Sequence, residues 1–224
     1  MAAQTVPIEL LETGSKKSKE VLILAHGAGA PMDSPFMEAI ADGIAAAGIR
    51  CIRFEFPYMA GRRQTGKKRP PDRQPVLLEH FRHVVDQVRE NTGPDASLYI
   101  GGKSMGGRMA TLLAAQNGNA NLFRAVICLG YPFHPPGKPE KTRIDHFPDI
   151  ACPVLICQGD RDPFGTRAEI ENYDLPPHVL LRWLPDGNHD LAPRVRSGIT
   201  KEENLDATVA VMRDFMTTGL HQSQ

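Results

Sequence analysis

Apolar positions in this chain fall into short unbroken runs, separated by longer stretches in which they recur at helical spacing. The runs cover residues 21–25, 49–54, 97–101, 125–129, 154–158 and 179–184. Each is nearly all apolar rather than alternating, the pattern of a strand covered on both faces. The intervening stretches read as helices. Ser34-Pro35 opens one, since proline at the first helical position gives up no needed donor. That helix carries Phe36, Ile40 and Ile44 on one face and closes near Gly48. The next carries Leu77, Phe81, Val84 and Val88, and a third runs from Ser104 through Leu112 and Leu113 to Gly118. Two more open with reciprocal capping boxes, Thr166 with Glu169 and Thr200 with Glu203. The last presents Leu205, Val209, Met212 and Met216 to the sheet.

Strands alternating with helices predict an α/β domain, a mostly parallel sheet of six to seven strands with helices on both faces. Residues 1–224 form one such domain on this reading, with no repeat and no low-complexity linker. Two connections are long: 57–74, rich in Arg, Lys and Pro, and 130–152, rich in Pro and His. Both follow strands, and in open sheets the loops leaving the C-terminal strand ends build the site.

Composition narrows the function. Lys plus Arg equal Asp plus Glu, 26 each, so no general affinity for nucleic acid or an acidic membrane is expected. The apolar runs fall far short of the roughly 20 residues that span a bilayer. Residues 1–20 lack the charged start and apolar core of a secretory leader, so a cytoplasmic protein is expected. The four cysteines, Cys51, Cys128, Cys152 and Cys157, all sit in strand-like apolar segments and read as reduced core residues. None has zinc-site spacing, and no metal is expected.

The chemistry concentrates in Gly101-Gly102-Lys103-Ser104-Met105-Gly106-Gly107. The segment contains G-x-S-x-G between a strand and a helix, the setting of a nucleophile elbow. Side chains two before and two after the serine would collide in so sharp a turn, which explains Gly102 and Gly106. The competing reading, a phosphate-binding turn, lacks the Lys-Ser/Thr ending of a P-loop and the spacing of a dinucleotide fingerprint.

A serine hydroxyl needs a general base, and in elbow-type sites the partners follow in the order Ser, acid, His. Of eight histidines, His26, His80 and His83 precede the elbow; His134 and His146 lie before the strand expected to deliver the acid; His178 opens the last strand, and His221 sits in the tail. His189, just past the last strand, remains. The acid is expected in Gly159-Asp160-Arg161-Asp162-Pro163. A Gly-x-x-Asp arrangement selects Asp162 and leaves Asp160 as a turn residue, with the reverse assignment open to test. The oxyanion donors are expected to be the N–H groups of Met105 and of Ala28, in the small-residue loop His26-Gly27-Ala28-Gly29-Ala30. Tyr58, Tyr131 and His134 are candidates to line the cleft. Arg62, Arg63, Lys67, Lys68, Arg69 and Arg73 read as a solvated charge run, or as a rim for an anionic substrate group.

With these motifs in order, the sequence resembles the α/β-hydrolase superfamily over nearly its whole length. The segments His26-Gly27-Ala28-Gly29-Ala30, Phe56-Pro57-Tyr58-Met59, Gly102-Lys103-Ser104-Met105-Gly106-Gly107-Arg108 and Gly159-Asp160-Arg161-Asp162-Pro163-Phe164-Gly165 resemble a small, lidless branch. That branch includes bacterial hydrolases, the testis-expressed hydrolase-like proteins and a subunit of a histone-acetylating complex. A more distant likeness is to dienelactone hydrolases, which carry cysteine where Ser104 stands. The resemblance implies the fold; the residues themselves lead us to expect a serine esterase or thioesterase acting on a small acyl substrate, with no cofactor and with no cap domain inserted after Leu129. The resemblance also admits a non-catalytic interaction module on the same fold. Substrate identity and oligomeric state are not implied.

Overall fold

The structure is a computed structural model that describes residues 8–116, 118–119 and 121–218. The leader reading rests partly, and His221 wholly, on residues outside these.

The elements follow in the order β1 (Leu10–Thr13), β2 (Glu20–Ala25), α1 (Pro35–Ala46), β3 (Arg50–Phe54), α2 (Pro57–Thr65), α3 (Gln74–Thr92), β4 (Ser97–Lys103) and α4 (Met105–Ala114). They continue with β5 (Ala125–Leu129), β6 (Val154–Gly159), α5 (Arg167–Ile170), β7 (Val179–Leu184) and α6 (Lys201–Thr218). Seven strands form one sheet in the order β1-β3-β2-β4-β5-β6-β7, parallel throughout except for antiparallel β1.

Alternation along β2 divides the core. Val21, Ile23 and Ala25 join one apolar layer with Phe81, Val84 and Val88 of α3 and Leu113 of α4. Leu22 and Leu24 join the other, with Ile40 and Ile44 of α1 and Met212 and Met216 of α6. Both faces are covered, which is why these strands show no polar alternation. All four cysteines are buried and unpaired. Burial pushes the thiols of Cys51 and Cys157 up to about 12, so neither is a nucleophile near neutral pH.

The structure departs from the sequence expectations in four places. Strand β1 is an edge strand of four residues, too short to register as an apolar run. The stretch 57–74 is not one loop: Pro57–Thr65 is helical, and α3 starts at Gln74. Helix α2 buries only Tyr58 and Met59, so it has no apolar stripe to announce it. Ionic ties hold it instead, as Arg63 bridges Glu55 at 2.7 Å and Asp33 at 2.8 Å. Helix α4 stops at Ala114, short of Gly118. Helix α5 is a single turn, although its capping box is complete. The 130–153 connection between β5 and β6 carries one 3-10 turn, Phe147–Asp149, and no inserted domain.

Candidate active site

β4 ends in Lys103, and Ser104 follows with φ 51° and ψ −113°. Few non-glycine residues take positive φ, and such strain persists only where the surroundings enforce it. Here they do. The Ser104 N–H donates to the Leu129 carbonyl at 3.0 Å, and the Arg108 N–H donates to the Ser104 carbonyl at 3.0 Å. A β-carbon on Gly102 would stand 2.5 Å from the Ala25 carbonyl oxygen, and one on Gly106 2.4 Å from the same atom. Only glycine lets the end of β2 lie this close to the turn. Met105 opens α4, so its N–H is among those with no partner inside the helix.

The loop after β7 carries His189. It turns at Asp186, a residue with φ 53°. Arg161 pairs with the Asp186 carboxylate at 2.9 Å, and Arg194 grips it from the other side. The hydrogen bonds from Arg194 hold the Asp186 carboxyl down at about 2, so the clamp stays charged across the neutral range. The Asp160 carboxylate accepts the Asp186 N–H at 3.0 Å, which makes Asp160 a loop fastener. Asn188 accepts the N–H groups of Asp190 and Ala192 at 2.9 and 3.0 Å.

These loops bring three sequence-predicted residues into line. His189 Nε2 lies 2.8 Å from Ser104 Oγ, and His189 Nδ1 lies 2.8 Å from Asp162 Oδ2. With Nδ1–H donating to the carboxylate, Nε2 is free to accept the serine proton. The Phe164 ring lies over the imidazole, 4.2 Å between centroids. Asp162 is fully buried. Its Oδ1 accepts the Phe164 N–H at 2.9 Å, and its Oδ2 also accepts Gln158 Nε2–H at 2.9 Å.

Gln158, also fully buried, is a residue that sequence reasoning passed over. Its amide donates to Asp162, and its Oε1 accepts the Tyr131 N–H at 2.7 Å. The available signal was an amide closing an otherwise apolar strand, where a buried polar group must find partners. Lys103 was likewise read only as a motif member, although a lysine at a buried strand end carries the same signal.

A cleft of about 350 Å³ opens over Ser104 and His189. Gly27, Ala28, Phe36, Met37, Phe164 and Asp190 contribute to its walls. The loop bearing Ala28 is braced from below. The Tyr58 hydroxyl donates to the Ala28 carbonyl at 3.0 Å, and His26 Nε2 accepts the Phe56 N–H at 3.1 Å. His26 Nδ1 then carries the proton and donates to the Gly27 carbonyl at 2.6 Å. Burial lowers the pKa of His26, in keeping with a neutral brace.

Tyr58, Tyr131 and His134 do not line this cleft. All three are buried, and each places a side-chain polar atom on a main-chain carbonyl. The Tyr131 hydroxyl donates to the Arg143 carbonyl at 2.7 Å, and His134 Nδ1 lies 2.8 Å from the Pro135 carbonyl. None of the basic residues between Arg62 and Arg73 lines it either. Among the described residues, no group of three or more His, Cys, Asp or Glu could hold a metal ion. No helix among them is long and apolar enough to cross a membrane.

Solved structures share this architecture. A dienelactone hydrolase from Anabaena variabilis matches at 20% identity and TM-score 0.70, covering 96% of this chain and 94% of that one. Est1E of Butyrivibrio proteoclasticus, with ferulic acid bound, matches at 17% and 0.66, covering 96% and 97%. An esterase from Pyrococcus furiosus matches at 12% and 0.67, covering 95% and 91%. At these identities the likeness speaks for the fold. The sequence itself matches the alpha/beta hydrolase domain family over residues 18–217, nearly the full length of the sheet and its helices. The chain belongs to that family.

Proposed function

We propose that this protein is a serine hydrolase that cleaves a small ester or thioester through an acyl-enzyme on Ser104. One observation carries the reading: an unbroken chain of contacts from Ser104 Oγ through both ring nitrogens of His189 to buried Asp162, each 2.8 Å long. A buried carboxylate held by Gln158 and the Phe164 amide orients the imidazole and stabilises its charged form during turnover.

Ser104 Oγ attacks the acyl carbonyl while His189 Nε2 takes its proton. The oxyanion that forms is held by the N–H groups of Met105 and Ala28, the first with the α4 dipole behind it. His189 then returns the proton to the leaving oxygen or sulfur, and water repeats the sequence to release the acid. The apolar walls supplied by Phe36, Met37 and Phe164 suit an acyl or aryl group of modest size. This chemistry calls on no metal or organic cofactor. The esterase and lactone hydrolase names of the structural neighbours are in keeping with it. The four quoted sequence segments favour the small lidless branch, and the direct β5-to-β6 connection is compatible with that placement.

A fluorophosphonate probe tests the reading. Wild-type protein is expected to label at Ser104, and Ser104→Ala to lose the label while keeping its melting temperature. Folded wild-type protein that stays unlabelled would favour the interaction module instead.

A further inference from the structure

The proposed mechanism leaves one buried charge beside the nucleophile without a role. Lys103 is 7% exposed. Its stem packs over Gly27, where a β-carbon would stand 3.4 Å from Lys103 Cγ. Its ammonium lies 5.5 Å from the centroid of the Phe36 ring. Nζ donates to the main-chain carbonyl of His189 at 2.7 Å and pairs with Asp190 Oδ1 at 3.3 Å. One side chain, rooted in the turn before Ser104, therefore touches the oxyanion loop, the start of α1 and the loop that delivers the base.

Burying an ammonium is unfavourable unless its partners compensate, and burial depresses the pKa of Lys103. A methionine would fill similar space without that cost, so the charge calls for an explanation beyond packing. The other fastenings of the base loop run elsewhere. Asn188 ties it to itself, Arg161 ties it to the acid loop, and Asn204 Nδ2 donates to the Leu191 carbonyl from α6 at 2.8 Å. The Lys103 bond runs to the nucleophile turn. Gly130, the residue after β5, leaves room for this contact, since a β-carbon there would stand 2.7 Å from the same His189 carbonyl oxygen and 3.3 Å from Lys103 Nζ.

The geometry points to Lys103 as a positioning residue, whose ammonium tethers the main chain of His189 to the turn that carries Ser104 and so keeps the imidazole within reach of the hydroxyl. This rests on the serine-hydrolase reading of the site. Lys103 also lines the cleft, but its ammonium is engaged by the His189 carbonyl and Asp190, so its loss is expected in kcat rather than in KM.

The test is Lys103→Met in the full chain, which keeps the apolar bulk of the stem and removes the donor. Hydrolysis of p-nitrophenyl acetate, fluorophosphonate labelling rate, melting temperature and amide exchange over residues 186–192 are measured beside wild type. The expected result is a kcat and labelling rate reduced roughly 10- to 100-fold, the loss that a misplacement of about 1 Å brings. KM stays within about threefold. The melting temperature changes by no more than a few degrees, since relief of the buried ammonium offsets the donor lost by the His189 carbonyl, and Asp190 is exposed enough to be solvated alone. Exchange over residues 186–192 quickens. If Lys103→Met folds poorly, Lys103→Gln, one atom too short to reach the His189 carbonyl, is expected to show the same loss. A raised KM with kcat unchanged would place Lys103 on the substrate and overturn the proposal, as would unchanged exchange in the base loop. Active wild type matched by Lys103→Met sinks the tether alone. Folded wild type that neither labels nor turns over sinks the hydrolase reading and the tether together.

Discussion

The Ser104 turn and the His189 loop stand on opposite sides of one 2.8 Å contact and are built by different physics. Sterics make the first. Gly102 and Gly106 allow backbone to meet backbone, and main-chain hydrogen bonds to Leu129 and from Arg108 hold Ser104 at φ 51°. Polar side chains make the second. Asp186, Asn188, Arg161, Arg194 and Lys103 each satisfy a loop amide, a carbonyl or a facing charge. A steric turn is rigid by exclusion, and removing its functional side chain leaves it standing. A turn fastened by hydrogen bonds loosens as each fastener is removed.

That contrast orders the expected effects of substitution. Ser104→Ala removes the reacting oxygen and leaves the turn intact, so kcat is expected to fall roughly 10⁶-fold with little change in melting temperature. Steady-state turnover and thermal melting on one preparation check both halves. A large drop in melting temperature would show that the hydroxyl, not the glycines, supports the turn. Asp162→Asn removes the charge facing the imidazole and permits the wrong tautomer, with an expected loss of roughly 10⁴-fold. Gln158→Leu keeps the acid but frees its carboxylate, and a loss on the order of 10²-fold is expected from the misplaced imidazole. The same variant leaves the Tyr131 N–H without its acceptor, so a lowered melting temperature should accompany it. Asp160→Asn loosens the Asp186 amide at one remove from the chemistry, and less than about a tenfold loss is expected. A loss with Asp160→Asn that exceeds the loss with Asp162→Asn would exchange the two assignments.

How much of the site is legible in sequence follows the same division. The nucleophile turn is written in seven consecutive residues, because its determinants are backbone clearances between near neighbours and the strand beside them. Chain order selects His189, because the parallel sheet fixes where each loop emerges, whereas the choice of Asp162 over Asp160 rests on the Gly-x-x-Asp spacing and stays open in the sequence. Tyr58, Tyr131 and His134 are only candidates for the cleft in sequence, and in the structure each places a polar atom on a main-chain carbonyl. Sequence marks a side chain as polar and aromatic but does not say on which side of a loop its acceptor lies. Helix α2 escaped notice because its determinants are ion pairs with Asp33 and Glu55, not an apolar stripe.

Local patterning by itself determined the parallel sheet and its two covering layers and marked the sharp turn at Ser104, since unbroken apolar runs, helical spacing and a glycine two positions to either side of the serine are each written within a few residues. Tertiary structure alone decided that Gln158 steadies the acid, that Lys103 reaches the carbonyl of His189, and which aromatic rings wall the cleft. Two of these contacts join residues 4 and 86 positions apart, Gln158 with Asp162 and Lys103 with His189, and Phe36 and Phe164, more than 100 positions apart, line the same cleft. A buried polar atom takes whichever partner the packed chain brings within reach, and that partner is set by folding rather than by neighbours in sequence.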